Sequence, residues 1–297
     1  MACRYPIRIK SNVGEVCPVS CGSCPLCLAG KKTFWQHRIQ YDVVYSAKYG
    51  IGSTFLGLSL NDDHLSDGLI HKDELQKFFK RLRKNSRLNF KHYSIGEYGD
   101  QGKRPHYHSI IIGCPSQIVA AYARKSWKYG FVTAEPVVSG RIRYVVDYLD
   151  CTTAQGKKTF ENLGLVPPFN IHSNGIGQSL FDSQLPFIME TAHYLYKGKP
   201  YPVSEYWLNK LGVSINARRN FSHSLIADQV KQFHSDVNFK SSTYQAWQAD
   251  RLHTKELSLY NKQINRLSPR YGRKVTDNLV FAPSLRTDIN SLIKEVL

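Results

Sequence analysis

Apolar residues in the first half of the chain recur with two different periods, and these periods predict where helices and strands lie. Trp35, Ile39 and Val43 are spaced four apart, which predicts a helix over residues 31–48. Residues 54–60 (TFLGLSL) form a short apolar run followed by a polar turn, which predicts a strand. A second helical stripe follows this strand and consists of Leu75, Phe78, Phe79 and Leu82.

Residues 93–113 predict two strands joined by a polar turn, because glycines and Pro105 interrupt two alternating segments. A helix at 116–128 and a strand at 130–138 follow. From residue 54 the predicted order is therefore strand, helix, strand, strand, helix, strand. This is the order of the split βαβ, ferredoxin-like plan, whose sheet is antiparallel. The sequence thus predicts an α+β fold.

The remaining chain shows weaker patterns. Residues 141–150 predict a helix, residues 159–185 are rich in loop-forming residues, and the chain from about residue 186 is mainly helical and basic. These shifts predict three parts, namely a cysteine knuckle at 1–30, a core at 31–185 and a helical extension at 186–297.

His106 and His108 are candidate metal ligands on the second strand of the predicted hairpin. Side chains two apart on a strand point to the same face, so one ion can reach both imidazoles. If the hairpin closes, Glu97 on the first strand returns to the same place. Two imidazoles and one carboxylate leave coordination positions open for a substrate oxygen, which suits a divalent ion. The alternative interpretation is a pair of half-buried strand histidines.

Tyr144 and Tyr148 are candidate nucleophiles. They lie four apart in the predicted helix over 141–150, so both hydroxyls lie on one helix face. A tyrosine hydroxyl is a weak nucleophile at neutral pH, so a nearby metal ion would have to assist it. Taken alone, the same spacing also fits ordinary helix packing.

Five of the seven cysteines lie within the first 27 residues, which argues against a disulfide framework spread over the fold. Cys21, Cys24 and Cys27 form two overlapping Cys-x-x-Cys units, whose thiolates can converge on one zinc ion. A closed structural zinc site needs a fourth ligand, and Cys3 and Cys17 are both candidates. Reduced thiols or a redox pair are the alternative interpretations.

The charge of the chain indicates an anionic polymer as its partner. Over 297 residues, 40 Lys and Arg stand against 23 Asp and Glu, a formal net charge of +17. Nucleic acid is the usual partner of so basic a chain, although a basic soluble protein is the alternative. The amino terminus lacks the apolar core of a signal peptide, and no run of about 18 apolar residues occurs. We therefore expect a cytosolic protein that does not contact the membrane.

Two strings of residues resemble a known family. Pro105-His-Tyr-His108, followed by isoleucines, is similar to the His-hydrophobic-His motif of the HUH endonucleases, which start rolling-circle DNA replication. The wider string, Gly96-Glu-Tyr-Gly99 and then Arg104 to His108, resembles the replication initiation proteins of the microviruses, particularly the gokushovirus branch. The clustered cysteines and the Gly-Ile-Gly at 175–177 add to this resemblance, which covers roughly residues 1–215.

The resemblance implies that residues 31–185 are an HUH endonuclease core. It implies Mg²⁺ or Mn²⁺ at His106, His108 and Glu97, and it favours Cys3 as the fourth zinc ligand. Tyr144 and Tyr148 would nick the viral origin strand as a 5′-phosphotyrosine, start rolling-circle replication and later rejoin the circle. The implied partners are single-stranded and origin double-stranded viral DNA with the host helicase and polymerase, in the host cell cytoplasm.

The chain also departs from this family. The similar phage proteins have Phe-Leu-Thr-Leu-Thr-Tyr where Gly57 and Leu60 interrupt the pattern here. They also have lysines after the tyrosine helix, where this chain has Asp147 and Asp150. The phosphate-contacting lysine and the order in which the tyrosines act therefore stay open. The alternative functions are a related HUH transposase or relaxase, and a non-catalytic basic protein that binds or packages single-stranded DNA.

Overall fold

A computed structural model describes residues 3, 5–10, 16–65, 67–99, 103–213 and 241–271, and scattered positions between 217 and 231. The chain forms two compact units. The first, here called the sheet unit, comprises residues 21–179 and 259–282. The second unit comprises residues 1–20, 180–258 and 283–297.

Helices and strands alternate along most of the described chain. The first part contains β1 (Ile7–Lys10), β2 (Val16–Val19), α1 (Pro25–Lys48), β3 (Thr54–Leu60), α2 (Lys72–Ser86), β4 (Lys91–Tyr98), β5 (Pro105–Ile112), α3 (Ser116–Ser126), β6 (Gly130–Pro136) and α4 (Ser139–Asp147). The second part contains α5 (Ala154–Asn162), β7 (Phe169–His172), α6 (Gln178–Asp182), α7 (Leu185–Thr191), β8 (His193–Tyr196), β9 (Lys199–Pro202), α8 (Glu205–Leu211) and α9 (Ser241–Tyr271). Short 3₁₀ turns occupy Asp62–His64 and Tyr148–Thr152.

The sheet unit is built on a five-stranded sheet with the order β6-β3-β5-β4-β7. Each pair of neighbouring strands is antiparallel. The predicted α+β class is confirmed, and the order strand, helix, strand, strand, helix, strand occurs from β3 to β6. The strand of the histidines, β5, is central and pairs with β3 and β4.

Two stretches differ from the sequence prediction. The segment over 159–185, expected to be mainly loop, contains part of α5 and all of β7 and α6. Strand β7 has only four residues, too few to show an alternating pattern, and it forms because the edge of β4 offers hydrogen bonds. Helix α1 begins at Pro25 rather than at residue 31, because a proline in the first turn needs no amide partner.

The two faces of the sheet are different. On one face, Tyr107 meets Trp127 edge to face with ring centres 5.6 Å apart, and Phe78 of α2 meets the same indole. The opposite face carries Glu97, His106 and His108, and we call it the histidine face. Helices α1 and α4 lie on the histidine face, where Trp35 packs on Tyr93 with ring centres 4.9 Å apart.

The buried carboxylate of Asp42 joins α1 to the sheet. Its side chain is 4% exposed and accepts hydrogen bonds from the Gly177 amide at 2.8 Å and from the Ser179 hydroxyl. Lys91 of β4 lies 3.2 Å away and balances the charge. A buried carboxylate is costly unless it is paired in this way, so these bonds fix α1 against β4.

The Gly-Ile-Gly segment at 175–177 packs against α1. A Cβ on Gly177, whose φ is +80°, would lie 2.6 Å from the Arg38 side chain. Arg38 in turn stacks on Trp35 and donates to the Ile176 carbonyl. Close packing against α1 thus explains the second glycine without a phosphate contact.

The second unit contains two short antiparallel hairpins, β1–β2 and β8–β9. The region after residue 186 was expected to be mainly helical, and the β8–β9 hairpin corrects that prediction. Its turn places Lys197 and Gly198 at φ values of +51° and +72°, as a tight hairpin turn requires. Phe181 and Trp207 are buried in this unit with ring centres 4.5 Å apart.

Helix α9 contributes to both units, since the sheet unit includes its residues from Leu259 onward. Tyr260 is 8% exposed and belongs to the hydrophobic core of the sheet unit. Among the described residues, none of the helices combines the length and the apolar composition that crossing a lipid bilayer requires.

Candidate metal and tyrosine site

Glu97, His106 and His108 meet on the histidine face. The register pairs Glu97 with His106 across β4 and β5, and His108 is one pleat further along. The Glu97 carboxylate is fully buried, and its Oε1 lies 3.2 Å from His106 Nε2 and 3.1 Å from His108 Nε2. The three candidate ligand atoms lie within 4.8 Å of one another.

The surroundings of His106 determine what can lie between these groups. His106 Nδ1 is 3.0 Å from the Arg104 carbonyl, which can only accept, so this nitrogen carries a proton. In a neutral imidazole the Nε2 lone pair then points at the Glu97 oxygen. Two acceptors at that distance repel unless a positive charge lies between them, either a bound cation or a second proton. The donor set therefore fits a divalent metal ion.

The His108 ring is held from two sides. It stacks on Phe55 of β3, with ring centres 5.2 Å apart and planes 14° apart. Tyr144 of α4 meets the same imidazole edge to face at 5.3 Å. This packing fixes the direction of Nε2 without using its lone pair.

The two candidate nucleophiles lie beside this group but are not equivalent. The Tyr144 hydroxyl donates to Glu97 Oε1 at 2.6 Å, and the Tyr148 hydroxyl lies 3.3 Å from the Tyr144 hydroxyl. Both hydroxyls are on one side of the helix, as their spacing predicted. Tyr148 begins the 3₁₀ turn after α4 and is only 2% exposed, whereas Tyr144 is partly exposed.

A lysine from another element stands beside the tyrosine helix. Lys32 Nζ of α1 lies 2.5 Å from Asp150 Oδ2 and 3.7 Å from Asp147 Oδ1. Asp150 is 1% exposed, so its ion pair holds the turn that starts at Tyr148. The sequence analysis missed Lys32, and no local pattern could have revealed it, because its partner Asp150 is 118 positions away.

The glycine in β3 that departs from the family pattern is compensated by a neighbouring strand. Gly57 lies opposite both His108 and Thr133. A Cβ on Gly57 would come within 2.5 Å of the Thr133 hydroxyl and 3.7 Å of His108 Nδ1. The hydroxyl of Thr133 thus occupies the space beside His108 where the similar phage proteins are expected to place a threonine of β3.

The cysteines at the start of α1 form a second candidate metal group. The sulfurs of Cys21, Cys24 and Cys27 lie within 4.8 Å of one another, with 3.9 Å between Cys21 and Cys27. Tetrahedral zinc with Zn–S bonds near 2.3 Å places its sulfurs about 3.8 Å apart, so the spacing fits zinc. The Cys24 amide points at the Cys21 sulfur at 3.4 Å and would stabilise a thiolate there.

Burial raises the pKa of the Cys24 thiol well above its ordinary value, with hydrogen bonds from the two neighbouring thiols adding to the shift. Zinc reverses such a shift by binding the thiolate. Cys3 belongs to the second unit, and the Cys17 side chain lies outside the described residues. The identity of the fourth ligand therefore stays a prediction.

Comparison with known proteins agrees with the position of these residues. A family model of the replication-associated protein ORF2 matches residues 53–153, a segment that includes Glu97, both histidines and both tyrosines. No solved structure matches the chain.

Two curated relatives are similar to the chain. Replication-associated protein ORF4 of Chlamydia phage 1 is 27% identical over 154 residues, which are 44% of this chain and 38% of that protein. Replication-associated protein ORF2 of Spiroplasma virus 4 is 22% identical over 304 residues, which are 91% of this chain and 89% of that protein. The match thus spans less than half of the first relative and most of the second. Residues 53–153 are therefore a replication-associated protein domain, and the chain belongs to the replication-associated proteins of the microviruses.

Proposed function

We propose that this chain is an HUH endonuclease that nicks the viral origin strand to start and terminate rolling-circle DNA replication. One observation carries the proposal: Tyr144 donates to the same buried Glu97 carboxylate that meets His106 and His108. A candidate nucleophile and a candidate metal site are therefore in direct contact. The strand order β6-β3-β5-β4 agrees with the split βαβ plan and supports a ferredoxin-like core.

His106, His108 and Glu97 would hold Mg²⁺ or Mn²⁺. Two imidazoles and a carboxylate leave open positions on an ion that prefers six ligands, and phosphate oxygens and water can fill them. When bound, the ion would polarise the scissile phosphate and offset the charge on the leaving 3′ oxygen.

The chain's own residues would perform the strand transfer. The Tyr144 oxygen attacks phosphorus, its proton passes to Glu97 along the 2.6 Å hydrogen bond, and the bond from phosphorus to the 3′ oxygen breaks. The 3′ oxygen takes up a proton and becomes the primer end for a host polymerase, and the 5′ phosphate stays on tyrosine. Water is not the nucleophile, so the phosphodiester energy is conserved for rejoining.

Tyr148 would serve the second cleavage. Once the Tyr144 oxygen is bonded to phosphorus, it has no proton to donate to Glu97. Tyr148 is the neighbouring hydroxyl, 3.3 Å from Tyr144. Its attack on the regenerated origin would release a new 3′ end, which then displaces the first tyrosine and closes a unit-length circle.

The open half of the histidine face is suited to a single DNA strand. The register runs from Phe131 on β6 through Ser59 on β3 to His106 on β5, so Phe131 lies about 10 Å from His106 across two strand spacings. Phe131 is an edge-strand aromatic and is 67% exposed. Exposed aromatic rings stack on unpaired bases, and a net charge of +17 attracts the DNA backbone.

The wider setting is also part of the proposal. The partners would be single-stranded viral DNA, the double-stranded origin, and the host helicase and polymerase that extend the new 3′ end. The work would take place in the host cell cytoplasm.

The cysteine group would hold a structural zinc ion at the start of α1. Cys24 caps the helix and Cys27 lies in its first turn, so the ion would fix the end of the helix that carries Lys32. The site lies outside the segment matched by the family model. Its role would be folding rather than chemistry.

The tyrosine mechanism predicts the behaviour of two single variants and one double variant. Tyr144→Phe and Tyr148→Phe keep the rings and their packing and remove only a hydroxyl, so both should fold. If both tyrosines act, each single variant should still form some covalent adduct with a 5′ oligonucleotide end but fail to release closed circles. The double variant should form none, as measured on denaturing gels with peptide mapping.

Tyr122→Phe, in which a tyrosine of α3 is changed instead, is the matched control and should behave as the wild type. Undiminished adduct in the double variant, or an adduct mapped to a different residue, contradicts the mechanism.

The metal site predicts that His108→Ala abolishes nicking of a single-stranded origin oligonucleotide. Loss of the ion removes several kcal/mol of transition-state stabilisation, equivalent to about a thousandfold or more in rate. DNA binding, measured by fluorescence anisotropy, should persist. His64→Ala changes an exposed histidine of the same unit and should leave nicking intact. Nicking by His108→Ala at the wild-type rate, with or without chelator, would remove the metal hypothesis.

The proposed stacking contact predicts that Phe131→Ala weakens single-stranded DNA binding by about 1–3 kcal/mol. Phe131→Trp should retain it, because a larger ring still stacks. Tyr49→Ala, at the end of α1, removes an aromatic of similar exposure, 65%, and should have no effect. Anisotropy titrations with the Tyr144→Phe, Tyr148→Phe background measure binding without cleavage. Equal losses in the Phe131 and Tyr49 variants would show that Phe131 has no special role.

The zinc proposal predicts about one zinc ion per chain in unstripped protein. Cys24→Ser should lose the ion and lower the melting temperature, because the thiolates then lack their common ligand. Cys114→Ser changes a buried cysteine outside the group and should keep the zinc. Elemental analysis that finds no zinc in the wild type would leave these residues as ordinary thiols.

A further inference from the structure

A cavity of about 370 Å³ lies within the sheet unit, between α1, α4 and the second half of α9. One part of its wall is apolar and is formed by Pro25, Val146 and Leu259. Another part carries the cations Lys32, Arg143 and Lys262. Its volume is in the range of small-molecule sites.

Gln263 provides the second observation. Its side chain lines the cavity and is 7% exposed. Among the described residues, no donor lies within hydrogen-bond distance of its Oε1. A buried carbonyl oxygen without a donor costs about 1–3 kcal/mol, so the cavity is suited to a ligand that brings an N–H or O–H group.

The charges of the cavity select the rest of the ligand. Lys32 is held by Asp147 and Asp150, but Arg143 and Lys262 are exposed at the wall and add two further positive charges. An anionic group such as a phosphate therefore fits near them. A planar apolar group fits against Val146 and Leu259.

We propose that this cavity between α1, α4 and α9 binds a nucleotide, with the phosphate at Arg143 and Lys262 and a base N–H donating to Gln263 Oε1. Each of the four DNA bases carries an N–H group, so Gln263 accepts from any of them. The nucleotide is either free in solution or one residue of a DNA strand, since both present the same phosphate and base.

The site is distinct from the candidate metal site. Tyr144 and Tyr148 project from α4 toward Glu97, whereas Arg143, Val146 and Asp147 of the same helix line the cavity. Lys32 connects the two, because its partner Asp150 belongs to the turn that begins at Tyr148. The proposal does not depend on nicking activity, and its test measures binding alone.

The test is isothermal titration calorimetry of the full chain with dAMP, dCMP, dGMP, dTMP, inorganic phosphate and a short single-stranded oligonucleotide, without added divalent ion. Gln263→Leu keeps the side-chain volume and removes the carbonyl. It should leave the melting temperature equal or higher and reduce nucleotide affinity at least tenfold. Lys262→Ala should reduce affinity for nucleotides and phosphate about fivefold or more.

Lys77→Ala, an exposed lysine of α2 paired with Asp73, is the matched control and should bind as the wild type does. Tight mononucleotide binding that Gln263→Leu weakens identifies a free nucleotide. Oligonucleotide binding that the same variant weakens, with weak mononucleotide binding, identifies a residue of the DNA strand. Either outcome supports the proposal.

The proposal is overturned if no mononucleotide and no oligonucleotide binds at millimolar concentration. It is also overturned if binding is insensitive to Gln263→Leu and Lys262→Ala, which would place the ligand elsewhere. Phosphate that binds as tightly as the nucleotides would likewise reject a base pocket.

Discussion

A single buried carboxylate, that of Glu97, determines how the histidine face is arranged. A fully buried carboxylate is too costly to keep without partners, and here His106, His108 and Tyr144 all surround it. These groups come from β4, β5 and α4, so the same atom fixes the register of the hairpin and the position of the tyrosine helix. A slip of one residue would turn both histidines to the other face of the sheet.

Helix α1 carries the second level of organisation. Three of its side chains each bind a different later segment: Lys32 pairs with Asp150, Arg38 donates to a carbonyl at 176, and Asp42 accepts from the amide at 177. These bonds hold α1 on the histidine face over most of its length. The tyrosine turn and the Gly-Ile-Gly segment are therefore positioned by one helix, whose own start carries the cysteine group.

Histidines of this chain have different roles depending on which face they occupy. His92 of β4 lies on the opposite face, stacked on Phe79 with ring centres 3.7 Å apart. Burial lowers the pKa of His92 to about 3, so it is a neutral packing residue at any ordinary pH. His106 and His108 are partly exposed beside a carboxylate. The difference is one of environment, and a sequence pattern of strand histidines does not distinguish the two.

The sequence by itself determined what depends on periods within one element. The two-residue spacing of His106 and His108, the four-residue spacing of Tyr144 and Tyr148, and the order of elements from β3 to β6 all follow from local geometry. Only the tertiary structure decided the contacts between distant segments. Lys32 beside Asp150, Thr133 over Gly57 and Gln263 against α4 join positions that no local period relates, because packing rather than backbone geometry brings them together. The four-residue strands β7 and β8 were missed for the same reason, since so short a strand is defined by its hydrogen-bonded neighbour.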